Sequence, residues 1–322
     1  MQSTSPKSTI VWNPNVRLII SDVDQTVADL YTDVSTSMVN ALETILTQGI
    51  VLYFISGQSV CNIHKRVTRH LNTRLRRKVL IGHCSGVEVF GFDDEGMLNP
   101  TPFYSHYETG LTEKQKRIWR SIIDQLINEF SLTALPAMPL AEFKRLAGNS
   151  VTTIMLEDRR SQITFEMVNS SLPFRQKVHD RAFELFTQAN IPITPRMAGE
   201  FALDFAVKDV SKTTAVKYII DHLQDFPQLS LSKDIITDPS LIEVWGDKFS
   251  TINGGTDRHI SQALDPKVRS ITFREENPEE LPEGYNIVIW NGNKHLHEGL
   301  LEYLAISIAT PQFKLKQSHL EI

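Results

Sequence analysis

The apolar positions of this chain alternate between two patterns over its first eighty residues or so. Unbroken runs, LII from Leu18, IVLYFISG from Ile50 to Gly57 and VLIG from Val79 to Gly82, predict strands buried on both faces. Between the first two, Met38, Leu42, Ile45 and Leu46 recur at helical spacing, with Ser35 or Thr36 placed to cap the helix and Gly49 to end it. A further helix is predicted from about Ser59. Such a β-α-β-α-β series predicts a parallel sheet wound with helices, an α/β fold.

The rhythm then changes. Ile118, Trp119, Ile122, Ile123, Leu126, Ile127 and Phe130 form one helical stripe, and SVTTIMLE and QITFEMV predict paired strands around the polar turn Asp158 to Ser161. A helix near Phe174 to Gln188 and the segment IPITPR close what is predicted as an inserted α+β unit. GEFALDF is expected to return the chain to the first core. A helix near Lys212 follows, burying Ala215, Val216 and Ile219, then the strand Ile242 to Asp247, two short strands in VRSITF and YNIVIW, and a last helix through Leu300 to Ile308. The expected organisation is a loose tail over 1–15, a core over 16–103 and 197–322, and an insert over 104–196.

Composition narrows the class without naming an activity. With 41% hydrophobic residues in 322, the chain is an ordinary globular one. A formal net charge of -5 points away from general nucleic-acid or membrane-surface binding. Two cysteines, Cys61 and Cys84, are too few for a disulfide framework, so a reducing, cytoplasmic setting is expected and both are assigned as small buried side chains. The basic run from His64 to Lys78 is assigned to a solvated helix face. Oligomeric state is not encoded in any feature of the sequence.

Chemistry concentrates where the strands end. LIISDVDQT places Asp22 and Asp24 at the carboxyl end of a central strand, the edge at which α/β folds bind ligands. Two acids so close need a shared cation or a division of labour, one attacking and the other moving protons. The next strand ends in Ser56, a helix opens on Lys212, and the strand WGD supplies Asp247, with Asp257 shortly after in GGTD. A hydroxyl, an ammonium and carboxylates able to hold a hard divalent ion suit the charge of a phosphoryl transition state.

In this order, DVDQT, ISG, DVSKTT and GDKFSTINGGTD resemble the four motifs of the haloacid dehalogenase superfamily. The resemblance implies a Rossmann-like parallel-sheet core with a type IIB cap between the second and third motifs. It implies Asp22 as nucleophile, Asp24 as general acid and base, and Thr26, Ser56 and Lys212 as phosphoryl contacts. Mg²⁺ is implied on Asp22, the Asp24 carbonyl and Asp247, with Asp257 as a direct or water-mediated partner. Finer likeness to the phosphomannomutase group and its phosphatase relatives lies in GDK and GGTDRHI, in Asp204 ahead of Lys212, and in LEDRRSQITF, where Arg159 matches a substrate-contacting arginine.

Three departures mark this chain: Gln25 stands where glycine usually follows the second aspartate, Thr256 stands where GGND has asparagine, and the loop between Asp247 and Asp257 is about two residues longer than in the mutases. The expectation is a Mg²⁺-dependent phosphatase for a small phosphorylated metabolite, most simply a phosphosugar, working through an aspartyl phosphate. Its rivals are a phosphosugar mutase and a non-catalytic module that binds a phosphorylated ligand.

Overall fold

The computed structural model describes residues 10–30, 32–198, 201–252, 255–310 and 313. The chain divides into two compact units, one of residues 1–104 and 211–322, the other of residues 105–210.

The larger unit holds β1 (Leu18–Ser21), α1 (Thr36–Thr47), β2 (Val51–Ile55), α2 (Val60–Arg66), α3 (Thr73–Arg76), β3 (Val79–His83) and β4 (Glu88–Phe90), with β5 (Tyr104–Ser105) at the junction. The smaller unit follows with α4 (His106–Gly110), α5 (Glu113–Glu129), β6 (Thr133–Pro136), α6 (Leu140–Ala147), β7 (Thr153–Asp158), β8 (Gln162–Glu166), α7 (Leu172–Gln188), β9 (Ile193–Ala198) and β10 (Ala202–Val207). The larger unit resumes with α8 (Lys212–Asp221), β11 (Ile242–Gly246), α9 (Arg258–Ser261), β12 (Arg269–Thr272), β13 (Ile287–Ile289) and α10 (Leu296–Ile308).

The larger sheet runs β13-β12-β11-β1-β2-β3-β4-β5 and is parallel from β13 to β3. Because successive strand side chains point to opposite faces, the continuous apolar runs feed two cores. Ile19, Leu52, Phe54 and Ile81 pack with Met38, Leu42 and Ile45 of α1 and with Leu300 and Leu304 of α10. Leu18, Ile20, Val51, Tyr53 and Ile55 pack with Ala215, Val216 and Ile219 of α8. Trp245 joins the first core as expected, and its Nε1 donates to the fully buried Glu243, which also takes Tyr303 Oη and Arg269. The first nine residues of the expected loose tail lie outside the described residues. The rest of it is anchored, because Trp12 is buried against Tyr303 and Phe313.

The smaller sheet has the order β6-β7-β8-β10-β9. Here the sequence reading needs correction: Gly199 and Glu200 of GEFALDF lie outside the described residues, and the described residues of 197–210 do not return to the parallel sheet. β10 pairs antiparallel with β8, Leu203 opposite Phe165, and with β9, Leu203 opposite Met197. Its pattern carries the reason. Leu203 and Phe205 are fully buried while Asp204 between them is not, the alternation of an antiparallel strand with one apolar face, not the continuous run of a central parallel strand. The chain re-enters the larger unit only at Ser211. Strand β6 and helix α6 were not predicted; β6 is largely exposed and ends in Pro136, so it lacks a strand's apolar signature.

Candidate active site

β1 lies between β2 and β11, and the residues that follow all three strands converge at their carboxyl ends. The Asp22 amide continues the ladder, donating to the Trp245 carbonyl at 3.0 Å. Lys212, the first residue of α8, is 3% exposed and serves two acids at once: its Nζ lies 2.5 Å from Asp22 Oδ1 and 2.7 Å from Asp257 Oδ1. Asp257 Oδ2 in turn accepts from the amides of Asp247 and Lys248, at 2.9 and 3.0 Å. That approach requires Gly246, since a Cβ there would come within 2.6 Å of Asp257 Oδ2.

Asp24 is partnered separately. Ser56 Oγ donates to its Oδ2 at 3.1 Å, and Arg66 Nη1 to its Oδ1 at 2.7 Å. Arg66 also donates to the carbonyls of Asp29 and Thr32, tying the loop after β1 to the end of α2. Thr26 is fully buried, and its Oγ1 has no hydrogen-bond partner among the described residues. A buried hydroxyl without a partner is uncommon and marks a donor held for something else.

The electrostatics follow from burial. Desolvation pushes the Asp22 carboxyl well above the ordinary carboxylate range; Lys212 opposes this, while Asp257, Asp247 and Asp24 add to it. Asp247 is raised to about 6, first by burial and then by Asp257, with Arg274 acting against both. Burial alone would lower Lys212, but Asp22 and Asp257 outweigh it and keep the ammonium charged. Asp22, Asp247 and Asp257 are all buried and each offers one oxygen within 4.8 Å of the others'. The Lys212 ammonium and the Arg274 guanidinium against three such acids still leave negative charge that a divalent cation suits.

The structure thus brings together Asp22, Asp24, Thr26, Ser56, Lys212, Asp247 and Asp257. Arg159 and Asp204 belong to the smaller unit instead. Arg159 is ion-paired to Glu157, and Asp204 Oδ1 accepts from Thr164 Oγ1 at 2.6 Å. Register aligns Glu157, Thr164, Asp204 and Arg196 across β7, β8, β10 and β9, a polar row on one face of that sheet. Glu166 on the same face is raised to about 7, chiefly by burial and then by Glu157. Arg160 sits at the turn with φ 67 and pairs with Glu108.

Two arginines escaped the sequence reading. Arg66 was assigned to a solvated face; it is buried, because it follows Ile63 by three positions and so shares that residue's inward side of α2. Arg274 lies just past β12, at the same sheet edge as the acids, and donates to Asp247 Oδ2 at 2.6 Å. Cys61, expected to be buried, is exposed; Cys84 is buried and both are free thiols.

No protein-family model matches the sequence, and no curated protein matches it. Solved structures do. A haloacid dehalogenase-like hydrolase from Bacteroides thetaiotaomicron aligns over 90% of this chain and 99% of its own, with TM-score 0.59 and 12% identity. The chain has the fold of the haloacid dehalogenase-like phosphatases. A trehalose-6-phosphate phosphatase related protein aligns over 94% of this chain and 99% of its own, with TM-score 0.53 and 11% identity. An IMP-bound mutant of the Plasmodium falciparum IMP-nucleotidase aligns over 92% of this chain and 68% of its own, with TM-score 0.50 and 13% identity. In this haloacid dehalogenase-like fold the acids, hydroxyl and lysine lie at the carboxyl edge of the parallel sheet. No described helix is long and apolar enough to cross a membrane.

Proposed function

We propose that the protein is a Mg²⁺-dependent phosphatase that hydrolyses a small phosphorylated metabolite, a phosphosugar, through an aspartyl phosphate on Asp22. The observation that carries the reading is the division of partners between the two aspartates: Lys212 holds Asp22, whereas Ser56 and Arg66 hold Asp24. One carboxylate is thereby oriented as a nucleophile and the other as a proton carrier.

Lys212 fixes Asp22 Oδ1, and Oδ2 has no hydrogen-bond partner among the described residues. That carboxylate attacks phosphorus in line; the bond from phosphorus to the ester oxygen breaks, and protonated Asp24 gives its proton to the departing alkoxide. Asp24, now ionised and steadied by Arg66, takes a proton from water as that water attacks the same phosphorus. The Asp22–phosphorus bond breaks, releasing inorganic phosphate and restoring both acids. Lys212 and the unpartnered Thr26 hydroxyl supply positive charge and a donor for the phosphoryl oxygens.

The residues present fit a divalent ion. Asp22, Asp247 and the Asp24 carbonyl would hold it, with Asp257, both of whose oxygens already accept hydrogen bonds, acting indirectly. When bound, Mg²⁺ neutralises charge on the phosphoryl group. In the smaller unit, the acceptors Glu157 and Asp204 and the cation Arg159 suit a sugar bearing hydroxyls. A free, exposed Cys61 agrees with a cytoplasmic setting.

The test is phosphate release from a panel of sugar phosphates and nucleotides, with and without Mg²⁺. We expect metal-dependent release, strongest on a sugar phosphate. Isomer formation from a hexose 1-phosphate without phosphate release would transfer the reading to a mutase; neither product from any compound would leave only a binding module.

A pH dependence follows from Asp247. Its folded pKa, raised to about 6, lies above the ordinary value, so the metal-free protein binds more protons than the unfolded chain between about pH 4 and 6. Stability from this group is therefore present below about pH 4 and is lost as pH rises through 6, by about 2–3 kcal/mol at most. Mg²⁺ removes that cost. Thermal unfolding in EDTA and in Mg²⁺ should diverge as pH rises through this window, and curves that stay parallel would count against a metal on Asp247.

A further inference from the structure

Arg274 engages Asp247 more closely than a neighbouring surface charge would. Its Nε donates to the Asp247 carbonyl at 3.0 Å and to Oδ2 at 3.1 Å, and its Nη2 donates to the same Oδ2 at 2.6 Å. The same Nη2 donates to Gln25 Oε1. Gln25 reaches it from a left-handed backbone position, φ 61, where a side chain other than glycine is disfavoured. A strained glutamine beside a nucleophilic loop needs a compensating interaction, and the guanidinium is that interaction.

We propose that Arg274 is a resident cation of the acid cluster: held against Asp247 by Gln25, it stabilises the metal-free site and weakens divalent-ion binding by competing for the same carboxylate. This rests on the reading of Asp247 as a metal ligand. The charges of the acid cluster require such a partner. Lys212 answers Asp22 and Asp257 but makes no bond to Asp247, which is buried with Arg274 as its one ion-pair partner among the described residues. A guanidinium on a buried carboxylate and a divalent ion on the same group repel each other, so each costs the other affinity. Arg274 also lines a cavity of about 370 Å³ with Lys248, Ser250 and Glu276, which gives its side chain space to withdraw. The site then stays intact between binding events and releases its ion readily.

The experiment compares wild type, Arg274→Met and Gln25→Gly, each stripped with EDTA. Binding of Mg²⁺ is measured by calorimetry and of Mn²⁺ by electron paramagnetic resonance, and thermal unfolding is recorded in EDTA and in saturating Mg²⁺. Arg274→Met should bind Mg²⁺ about tenfold more tightly or better. It should melt below wild type in EDTA and level with it in Mg²⁺. Gln25→Gly, which suits φ 61 and keeps the arginine, should tighten Mg²⁺ binding by less; that affinity carries the test if Arg274→Met does not fold. Wild-type Mg²⁺ affinity in both variants, or a melting loss of equal size in EDTA and Mg²⁺, would overturn the proposal while leaving the metal site standing. No binding of either ion to any of the three proteins would remove the metal reading and this proposal together.

Discussion

Asp22→Asn should cut phosphate release at least about a thousandfold on every substrate the protein accepts, with the fold unchanged. An amide has the same shape and cannot form the phosphoryl bond, since its oxygen carries no negative charge and its nitrogen is a poor nucleophile. The stability side of the prediction is as specific. Asp22 is a buried acid whose ionisation is opposed by burial and by three neighbouring acids, against one favourable ammonium. Asn removes that repulsion while leaving Lys212 its bond to Asp257, so the variant should melt at or above wild type in EDTA near neutral pH. Release assays and thermal unfolding on one preparation check both halves. Substantial turnover by Asp22→Asn would eliminate the aspartyl-phosphate mechanism, because no other acid at the site is both partnered to Lys212 and left with an unpartnered oxygen among the described residues.

The core was legible because its elements carry redundant signals. β1 and β2 are buried at every position and nearly all apolar, and α1 has its Ser35 cap, an inward stripe and a glycine just past its end, so pattern, propensity and punctuation agree. Asp22, Asp247 and Lys212 were legible in position for a related reason: each sits directly at the end of a strand or the start of a helix that could itself be predicted, and a parallel sheet gathers those ends at one edge. What failed lacked such local marks. GEFALDF has the hydrophobicity of a core strand, and only its alternation around Asp204 distinguishes an antiparallel strand of the smaller sheet. Arg66 and Arg274 are single basic residues whose importance lies in what they face across the fold, forty-two positions from Asp24 and twenty-seven from Asp247. A run of basic residues reads as solvated surface until the turn of the helix shows which one points inward.

The same contrast between local and long-range partners bears on the other large effect expected. Lys212→Met should abolish turnover nearly as fully as Asp22→Asn, by about a hundredfold to a thousandfold or more, since it removes the ammonium that orients the nucleophile and would meet the phosphoryl oxygens. Unlike Asp22→Asn, it should also destabilise. Methionine fills similar space, but Asp22 and Asp257 lose the one cation they share, and uncompensated buried carboxylates cost about 3–5 kcal/mol. The loss should be largest in EDTA at neutral pH and should shrink as pH falls toward 4, where protonation of the acids relieves the repulsion without the lysine. Mg²⁺ should recover part of the stability and none of the activity, because an ion on Asp22 and Asp247 answers the net charge while leaving the nucleophile's Oδ1 without its donor. Urea unfolding across pH, with and without Mg²⁺, separates these terms. A stability loss independent of both pH and metal would mean that Lys212 acts through packing, and a variant with wild-type turnover would detach the lysine from the chemistry altogether.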